Sequence, residues 1–249
     1  MHDHAIQCIH DPMLVALSYL VAVLGSYTAL QLAIGIPAAR NQRDRTQAVL
    51  ASGAAMGGAI WAMHFIAMLA CQMDVQVTYD LALTVLSAVI AMVSCMVGLG
   101  VAGSGVFAWS KLGLGGLFMG LGVAGMHYTG MAAMRMAATV HYDSSVVAIS
   151  VVIAVVASCA ALWLAFNMRG AALMLGSALV MGVAVCGMHY TGMAAASFTP
   201  TQESVAAATA GGIGGQYLGA TIFVLTTVML ATVLAVSLVR QQRRALVRI

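Results

Sequence analysis

Residues 181–195 read MGVAVCGMHYTGMAA and residues 119–133 read MGLGVAGMHYTGMAA, and this repeated stretch decides the fold. A more divergent copy, MGGAIWAMHFIAMLA, occupies residues 56–70. The central histidines of the three copies are His64, His127 and His189, which lie 63 and 62 residues apart. Repetition at a fixed period indicates a structural unit that is built several times over. The sequence therefore predicts three equivalent units, each with one histidine.

The composition places these units in a lipid bilayer. Of the 249 residues, 62% are hydrophobic and only 7% are charged, and the mean hydropathy is +1.00. A water-soluble domain carries about a quarter charged residues, so the few charges here cannot cover the surface of a globule of this size. The composition thus excludes a soluble domain, and it also excludes a disordered chain, because disorder requires low hydrophobicity.

The charged residues divide the chain into apolar stretches of the length that a transmembrane helix needs, about 20 residues. Seven spans follow, near 12–36, 48–71, 80–103, 112–136, 145–167, 172–196 and 216–239. The repeat period contains two spans, so each unit is a helical hairpin and successive hairpins are parallel. We predict one all-α membrane domain over residues 1–249, with two-helix repeats near 12–71, 80–136 and 145–196, a seventh transmembrane helix and a cytoplasmic tail at 240–249.

The charges also predict an orientation, because Lys and Arg are enriched in cytoplasmic loops. Nine of the ten basic residues fall on one side of the seven spans: Arg40, Arg43, Arg45, Lys111, Arg169, Arg240, Arg243, Arg244 and Arg248. Arg135 and six of the seven acidic residues fall on the other side. We therefore expect the N-terminus outside and the C-terminus inside. The pI of about 8.7 reflects this sidedness and does not indicate nucleic-acid binding.

The same topology puts the three histidines at one depth near the outer face. Each lies seven to nine residues before the outer end of its span, which is about 10–14 Å at 1.5 Å per residue. A methionine precedes each histidine, and another follows one helical turn later on the same face. These methionines are Met63, Met126, Met188, Met68, Met131 and Met193. Imidazole and thioether ligands together suit soft or borderline metals, so the sequence predicts a copper site.

The motif M-H-Y-T at 126–129 and 188–191, with M-H-F-I at 63–66, resembles the MHYT family of bacterial integral-membrane sensor domains. The resemblance covers residues from about 10 to 239. It implies a copper site near the outer face of the bacterial inner membrane and a role in sensing oxygen, carbon monoxide or nitric oxide. The motif residues it implies are Met126, His127, Tyr128, Met188, His189 and Tyr190, whereas the first copy has Phe65 for tyrosine.

Relatives in this family often carry a diguanylate cyclase, phosphodiesterase or histidine-kinase region after the membrane domain, which implies a cytoplasmic signalling partner. Only nine residues follow Arg240 in this chain. The expectation is therefore either a stand-alone member of the family or a piece of a longer receptor.

The tyrosines of the motif and a cysteine near it each have more than one possible role. Tyr128 and Tyr190 are further candidate ligands, but they also suit an anchoring role at the membrane interface. Cys71 lies seven residues after His64 on the same helical face and is a candidate ligand. Cys8 falls near the same outer surface, where a disulfide between the two cysteines is permitted.

Other polar residues at the outer side have simpler interpretations. Three acidic residues precede the odd-numbered spans and are expected to cap them: Asp11, Asp80 and Asp143. Three histidines precede the first span and are interpreted as part of a solvated tail: His2, His4 and His10.

We interpret the chain as a sensory membrane module that binds copper and meets a diatomic gas or changes redox state. A haem protein is one alternative, because two histidines at one depth could be axial ligands. A copper transporter or channel is another, although the inner half offers few ligands beyond Met56, Met119 and Met181. No enzyme is predicted, since there is no nucleophile–base pair and the acids cluster at helix ends.

Overall fold

A computed structural model describes residues 6–246, so His2, His4 and Arg248 lie outside the described part. The helices, in chain order, are α1 Pro12–Ala33, α2 Gln42–Ala70, α3 Leu81–Ala102, α4 Trp109–Ala132, α5 Ser144–Asn167, α6 Ala171–Ala194, α7 Val205–Ala208 and α8 Gly215–Leu246. Five of them, α1, α2, α3, α5 and α6, are long and apolar enough to cross a membrane. Helix α4 is as long as α5, but its seven glycines lower its hydropathy. The prediction of a helical membrane protein is confirmed.

The first six predicted spans coincide with helices, and their ends agree within four residues except at the start of α2. Helix α2 begins six residues earlier than predicted because Asn41 caps it, accepting a hydrogen bond of 2.8 Å from the backbone N–H of Asp44. This cap draws the polar segment into the helix. Arg43 and Arg45, which the predicted spans 12–36 and 48–71 leave in the loop between them, therefore lie in α2, and that part of the prediction was wrong.

Helices α1 to α6 form a closed ring of three hairpins. Each helix packs on the next one along the chain, and α6 packs back on α1. The three even-numbered helices carry the repeated motif, and they also contact one another in the centre of the ring. Helix α8 packs outside, against α2 and α1. The predicted repeat of parallel hairpins is therefore realised around a common axis.

Short strands join the loops at the histidine-bearing end of the bundle. They are β1 Ile9–His10, β2 Cys71–Gln72, β3 Thr78–Tyr79, β4 Met134–Arg135, β5 Ala138–Tyr142, β6 Ala196–Pro200 and β7 Ile213–Gly214. They pair antiparallel as β1–β2, β4–β3–β7 and β5–β6. The all-α prediction missed them, because segments of two to five residues have no readable periodicity. Their pairing satisfies backbone N–H and C=O groups outside the helices.

One hydrogen-bonded connection closes each hairpin at this end. The side chains of Asp11, Asp80 and Asp143 cap α1, α3 and α5, as predicted. Their backbone N–H groups donate to the carbonyls of the residues six positions after the motif histidines, Ala70, Ala133 and Ala195, at 2.8, 2.8 and 2.9 Å. The end of each even helix is thereby tied to the start of its odd partner.

The cap at Asp80 is reinforced by an ion pair. The Leu83 backbone N–H and then the Arg135 guanidinium hold the pKa of the Asp80 carboxyl below its usual value. Arg135 lies 2.5 Å from this carboxylate and also donates to the carbonyl of Ala210. Arg135, the basic residue predicted to lie on the same side of the spans as most acidic residues, is thus paired with one of them.

Candidate metal centre

The three motif histidines meet at the centre of the ring. The Nδ1 atom of His64 lies 3.0 Å from Nδ1 of His189 and 3.2 Å from Nδ1 of His127. All three side chains are buried, with at most 1% of their surface exposed. The three ligand atoms lie within 4.8 Å of one another. The three histidines, which were predicted to lie at one depth, therefore also contact one another.

Two of these imidazole rings pack directly against glycines of the neighbouring even helices. A Cβ atom on Gly130 would lie 2.3 Å from Nε2 of His64, and one on Gly192 would lie 2.3 Å from Nε2 of His127. Both glycines stand three residues after a motif histidine, where the first copy has Ala67. The imidazoles are thus oriented by steric contact with a backbone that carries no side chain.

Hydrogen bonding alone does not satisfy the three rings. The Nε2 atoms of His64, His127 and His189 are buried and have no hydrogen-bond partner among the described residues. At the centre, Nδ1 of His64 faces two other Nδ1 atoms. A neutral imidazole nitrogen is either a donor or an acceptor. To bond to both neighbours, Nδ1 of His64 would have to share one lone pair between two N–H donors or one N–H between two lone pairs. Three lone pairs pointing at one ion would remove this conflict.

The spacing fits a small metal ion. Three nitrogens arranged tetrahedrally around an ion at about 2.0 Å are about 3.3 Å apart. Two of the three Nδ1 pairs, at 3.0 and 3.2 Å, are close to this spacing. Nδ1 would bind the ion and Nε2 would keep its proton. Metal-bound histidines usually donate that second N–H to a carboxylate or carbonyl, which orients the ring. At His64 and His127 the ring is instead oriented by steric packing on glycine, and its Nε2 atom has no acceptor among the described residues.

The six methionines next to the histidines are all buried, with exposures between 0% and 7%. Met68, Met131 and Met193 belong to one apolar cluster with Phe65 and Tyr79. Met126 and Met188 belong to the larger cluster that fills the middle of the bundle, and Met63 packs with Ala22 and Ala67. Their role as ligands beside the histidines stays a prediction.

The tyrosine of the motif makes an interhelical hydrogen bond that sequence reasoning missed. The Tyr128 hydroxyl lies 2.6 Å from the Ser150 hydroxyl of α5. Tyr128 is thus engaged with a neighbouring helix, which argues against the predicted ligand role. In the first copy Phe65 has no hydroxyl, and the indole N–H of Trp61 donates to the Ser87 hydroxyl of α3 instead, at 3.1 Å.

A regular position of serine in the sequences of the odd helices could have predicted these bonds. A serine stands seven residues after each capping aspartate, at Ser18, Ser87 and Ser150. The third pair would join Tyr190 to Ser18. Within residues 6–246 the buried Tyr190 hydroxyl makes no hydrogen bond of standard geometry, and Ser18 donates to the Val15 carbonyl. Tyr190 therefore remains a candidate ligand.

Tyr128→Phe should destabilise the protein by about 1 kcal/mol, because it leaves the Ser150 hydroxyl without its interhelical partner. Thermal unfolding in detergent measures the effect. The matched control is Tyr190→Phe, which removes a hydroxyl without a standard hydrogen bond in the described part of the chain and should cost less. Equal costs for the two variants would contradict a role for the Tyr128–Ser150 bond.

A disulfide lies at the histidine-bearing end of the bundle. Cys8 and Cys71 are joined, which ties the segment before α1 to the residue that follows α2. The structure therefore favours the disulfide alternative, which argues against the candidate ligand role of Cys71. Next to it, the ring of His10 lies edge-on to that of Tyr190, with centroids 5.4 Å apart. His10 is thus exposed, in line with the prediction of a solvated segment, but it belongs to strand β1 and packs on Tyr190.

Residues 57–115 and 120–178 match the MHYT family, described as a bacterial signalling protein N-terminal repeat. The chain belongs to the MHYT family. The two matched ranges contain His64 and His127, and the third motif copy with His189 follows them. Together with the apolar helices, the MHYT repeats identify a membrane protein of bacterial signalling.

Several MHYT relatives are much longer than this chain. MucR of Pseudomonas aeruginosa, a bifunctional diguanylate cyclase/cyclic di-GMP phosphodiesterase, is 41% identical over 241 residues, covering 95% of this chain and 35% of MucR. NbdA of the same organism, a cyclic di-GMP phosphodiesterase, is 38% identical, covering 76% of this chain and 24% of NbdA. The signaling protein YkoW of Bacillus subtilis is 30% identical with the same coverage. No solved structure matches.

This chain spans about a third of MucR and about a quarter of NbdA and YkoW. The activities named for those relatives belong to the whole proteins. What this chain shares with them is the MHYT signalling region.

Proposed function

We propose that this chain is a sensory module that binds one copper ion through His64, His127 and His189 and responds to a diatomic gas or to redox state. The observation that carries the proposal is the convergence of three buried Nδ1 atoms at 3.0 and 3.2 Å. Bound copper would supply a soft centre that takes oxygen, carbon monoxide or nitric oxide, or that changes its oxidation state.

The surroundings of the centre favour Cu(I) over a divalent ion. The cluster of candidate ligand groups in residues 6–246 contains three histidines and no carboxylate. Neutral imidazoles leave the full charge of the ion uncompensated. The desolvation free energy of a buried ion rises with the magnitude of its charge. A monovalent ion therefore fits this site better, and the buried thioethers around it have the softness that Cu(I) prefers.

The same geometry speaks against the haem alternative. Two axial histidines coordinate from opposite faces of a macrocycle, with their nitrogens about 4 Å apart across the iron. Here His64 and His189 approach to 3.0 Å, and Gly130 packs directly on the His64 ring. A porphyrin would have to separate the even helices.

We further propose that the bundle has seven spans with the histidine end outside, in the bacterial inner membrane. Helix α4 packs in the ring with the five apolar helices, and α8 packs beside α2. Arg40, Arg43, Arg45, Lys111 and Arg169 lie at the end opposite the histidines, which is the distribution expected for a cytoplasmic face. The disulfide at the histidine end agrees with an oxidising exterior.

Helix α8 is the proposed output path to a cytoplasmic partner. A Cβ on Gly215 or Gly219 would lie 2.9 or 3.0 Å from the Leu69 side chain, so α8 rests closely on α2 one turn beyond His64. Helix α8 has 32 residues, about 48 Å at 1.5 Å per residue, which exceeds the hydrocarbon thickness of about 30 Å. A shift of α2 would therefore move a helix that extends past the membrane.

The proposal is tested by the copper content of the purified protein after anaerobic loading with Cu(I). The wild-type protein should retain one equivalent that the variants His64→Ala, His127→Ala and His189→Ala each lose. Carbon monoxide added to the loaded wild-type protein should give an infrared band that these variants lack.

The matched control for this loss is His141→Ala. His141 lies on strand β5, where its side chain is exposed and bonds to Thr199. This variant should bind copper as the wild type does. Equal copper content in the wild type and the motif variants would refute the histidine centre.

A further inference from the structure

Helices α1, α3 and α5 each begin at a junction that joins two even-numbered helices. The residue before the capping aspartate packs edge-on against the aromatic residue that follows a motif histidine. These pairs are His10 with Tyr190 at 5.4 Å between ring centroids, Tyr79 with Phe65 at 5.9 Å, and Tyr142 with Tyr128 at 5.7 Å. The capping aspartate then donates its backbone N–H to the end of the next even-numbered helix in the ring. The junctions thus join α6 to α2, α2 to α4, and α4 to α6.

The junction at α1 is the one that closes the ring. The junctions at α3 and α5 follow directly in the chain from the helix whose aromatic residue they contact, α2 or α4. The chain does not connect α6 to the segment before α1 in this way, because α6 continues into β6. The contact of His10 with Tyr190 is therefore purely noncovalent, and the covalent link nearby is the disulfide between Cys8 and Cys71.

The two cysteines occupy positions that are apolar in the other junctions. The strand register is the same in all three, with His10 opposite Cys71, Tyr79 opposite Met134, and Tyr142 opposite Ala196. Cys8 stands three residues before its capping aspartate, where the other junctions have Val77 and Val140. The same backbone N–H bond forms in all three. A junction therefore forms without a disulfide, so the disulfide at α1 requires a further explanation.

A disulfide can simply stabilise a fold, but this one is also accessible to reagents. Cys8 and Cys71 are partly exposed, and the neighbouring His10 is exposed. Exposed disulfides are the labile ones that serve regulation or catalysis, whereas structural disulfides resist reduction. The exposure of the pair therefore favours a reactive disulfide.

Direct contacts lead from the disulfide to the histidine centre. Nε2 of His10 lies 3.6 Å from Sγ of Cys8. The His10 ring packs on Tyr190, and Tyr190 packs on His189 with ring centroids 5.0 Å apart. A displacement of Cys8 would therefore be transmitted to the centre through two side chains.

We propose that Cys8–Cys71 is a thiol–disulfide exchange site for small-molecule dithiols, and that its reduction releases the junction at α1. A thiolate of the dithiol attacks one sulfur of the disulfide, the S–S bond breaks, and the other sulfur leaves as a thiolate that takes up a proton. The second thiol of the reagent then resolves the mixed disulfide. The protein gains two electrons and two protons, and the dithiol becomes a disulfide.

Reduction replaces a covalent bond by a contact between two thiols, whose sulfurs must move apart. The segment before α1 is then held only by noncovalent contacts, among them the two-residue pairing of β1 with β2 and the hydrogen bond from Asp11 to Ala70. Strand pairs this short are marginal in water. The reduced junction therefore opens more readily, and His10 separates from Tyr190. The exchange involves no metal, so it is independent of copper at the histidine centre.

The reactivity is tested on the metal-free full chain in detergent, treated anaerobically with dithiothreitol. Alkylation followed by mass spectrometry measures free thiol at Cys8 and Cys71. We expect reduction in the folded protein at a rate within about tenfold of that in the denatured chain, because access governs exchange. The buried thiol of Cys95 should stay unlabelled and so report that the protein is folded. Reduction that appears only together with labelling of Cys95 would overturn the exchange site.

The release of the junction is tested by hydrogen exchange of backbone amides. Reduction should speed exchange in residues 6–11 by about tenfold or more, because local opening sets the exchange rate. Exchange in residues 77–80 and 140–143, at the other two junctions, should not change. Equal exchange in the oxidised and reduced wild type would overturn the release, and so would faster exchange at all three junctions.

Two variants separate the covalent link from the packing of the junction. Cys8→Val/Cys71→Met introduces the residues of the α3 junction, Val77 and Met134. It should exchange slowly with and without dithiothreitol. Cys8→Ser/Cys71→Ser should exchange as the reduced wild type does, and slow exchange in this variant would contradict the proposal. All of these measurements are made without metal, so their failure would leave the copper proposal untouched.

Discussion

The Gly192→Ala variant is expected to weaken copper binding at the histidine centre by about tenfold to a hundredfold. The new Cβ would lie 2.3 Å from Nε2 of His127, so the ring would have to retreat by about 1 Å to reach an ordinary contact. Metal sites tolerate misplacement of about half an ångström, and loss of an orienting neighbour typically costs 10–100-fold in affinity, as a rough guide. Competition with a Cu(I) chelator measures the change.

The same helix offers the control for this prediction. Gly187 stands five residues earlier, and a Cβ there would meet nothing within 4 Å. Gly187→Ala should therefore bind copper as the wild type does, and Gly130→Ala should repeat the loss because it meets the His64 ring at 2.3 Å. Full affinity in both Gly130→Ala and Gly192→Ala would show that these glycines do not orient the rings.

The second large effect is expected on stability, at the contact between α4 and α5. A Cβ on Gly120 would lie 2.5 Å from Cα and 2.8 Å from N of Val155. Backbone atoms cannot move away by changing rotamer, so the two helices must separate. We expect Gly120→Ala to destabilise the protein by about 2–4 kcal/mol, measured by unfolding in mixed detergent.

A graded series makes this prediction specific. Gly57→Ala meets the backbone of Ala91 and should resemble Gly120→Ala, whereas Gly182→Ala meets only the side chains of Val23 and Tyr19 and should cost less. Gly113→Ala on α4 meets nothing within 4 Å and should be neutral or stabilising by up to about 1 kcal/mol, because alanine favours helix. A loss in Gly113→Ala equal to that in Gly120→Ala would contradict the contact argument.

The helices were predictable because an apolar run of about 20 residues between charges leaves a membrane chain few alternatives. The start of α2 was not, since the Asn41 cap converts a charged segment into the first turns of a helix. The strands were not predictable either. Ile9–His10 pairs with Cys71–Gln72, and no local pattern reports a partner so far along the chain.

The candidate site divides in the same way. The histidines and their common depth followed from the repeat, because equal positions in parallel hairpins lie at equal depth. The copper chemistry stays a prediction. The roles of Cys71 and Tyr128 did not follow from the repeat. Cys71 is joined to Cys8 in the segment before α1, and Tyr128 bonds to Ser150 of α5, so both roles depend on partners that other parts of the chain supply.

The sequence by itself therefore determined that there are three units, that they are parallel, and which residue types face the centre. Helical periodicity and hydrophobic length act within each unit. Only the tertiary structure decided that three hairpins close into a ring and bring Nδ1 of His64 to 3.0 and 3.2 Å from its counterparts. The reason is physical. The distance between the even helices is set by glycines such as Gly130 and Gly192, whose missing side chains leave room for an imidazole from another repeat.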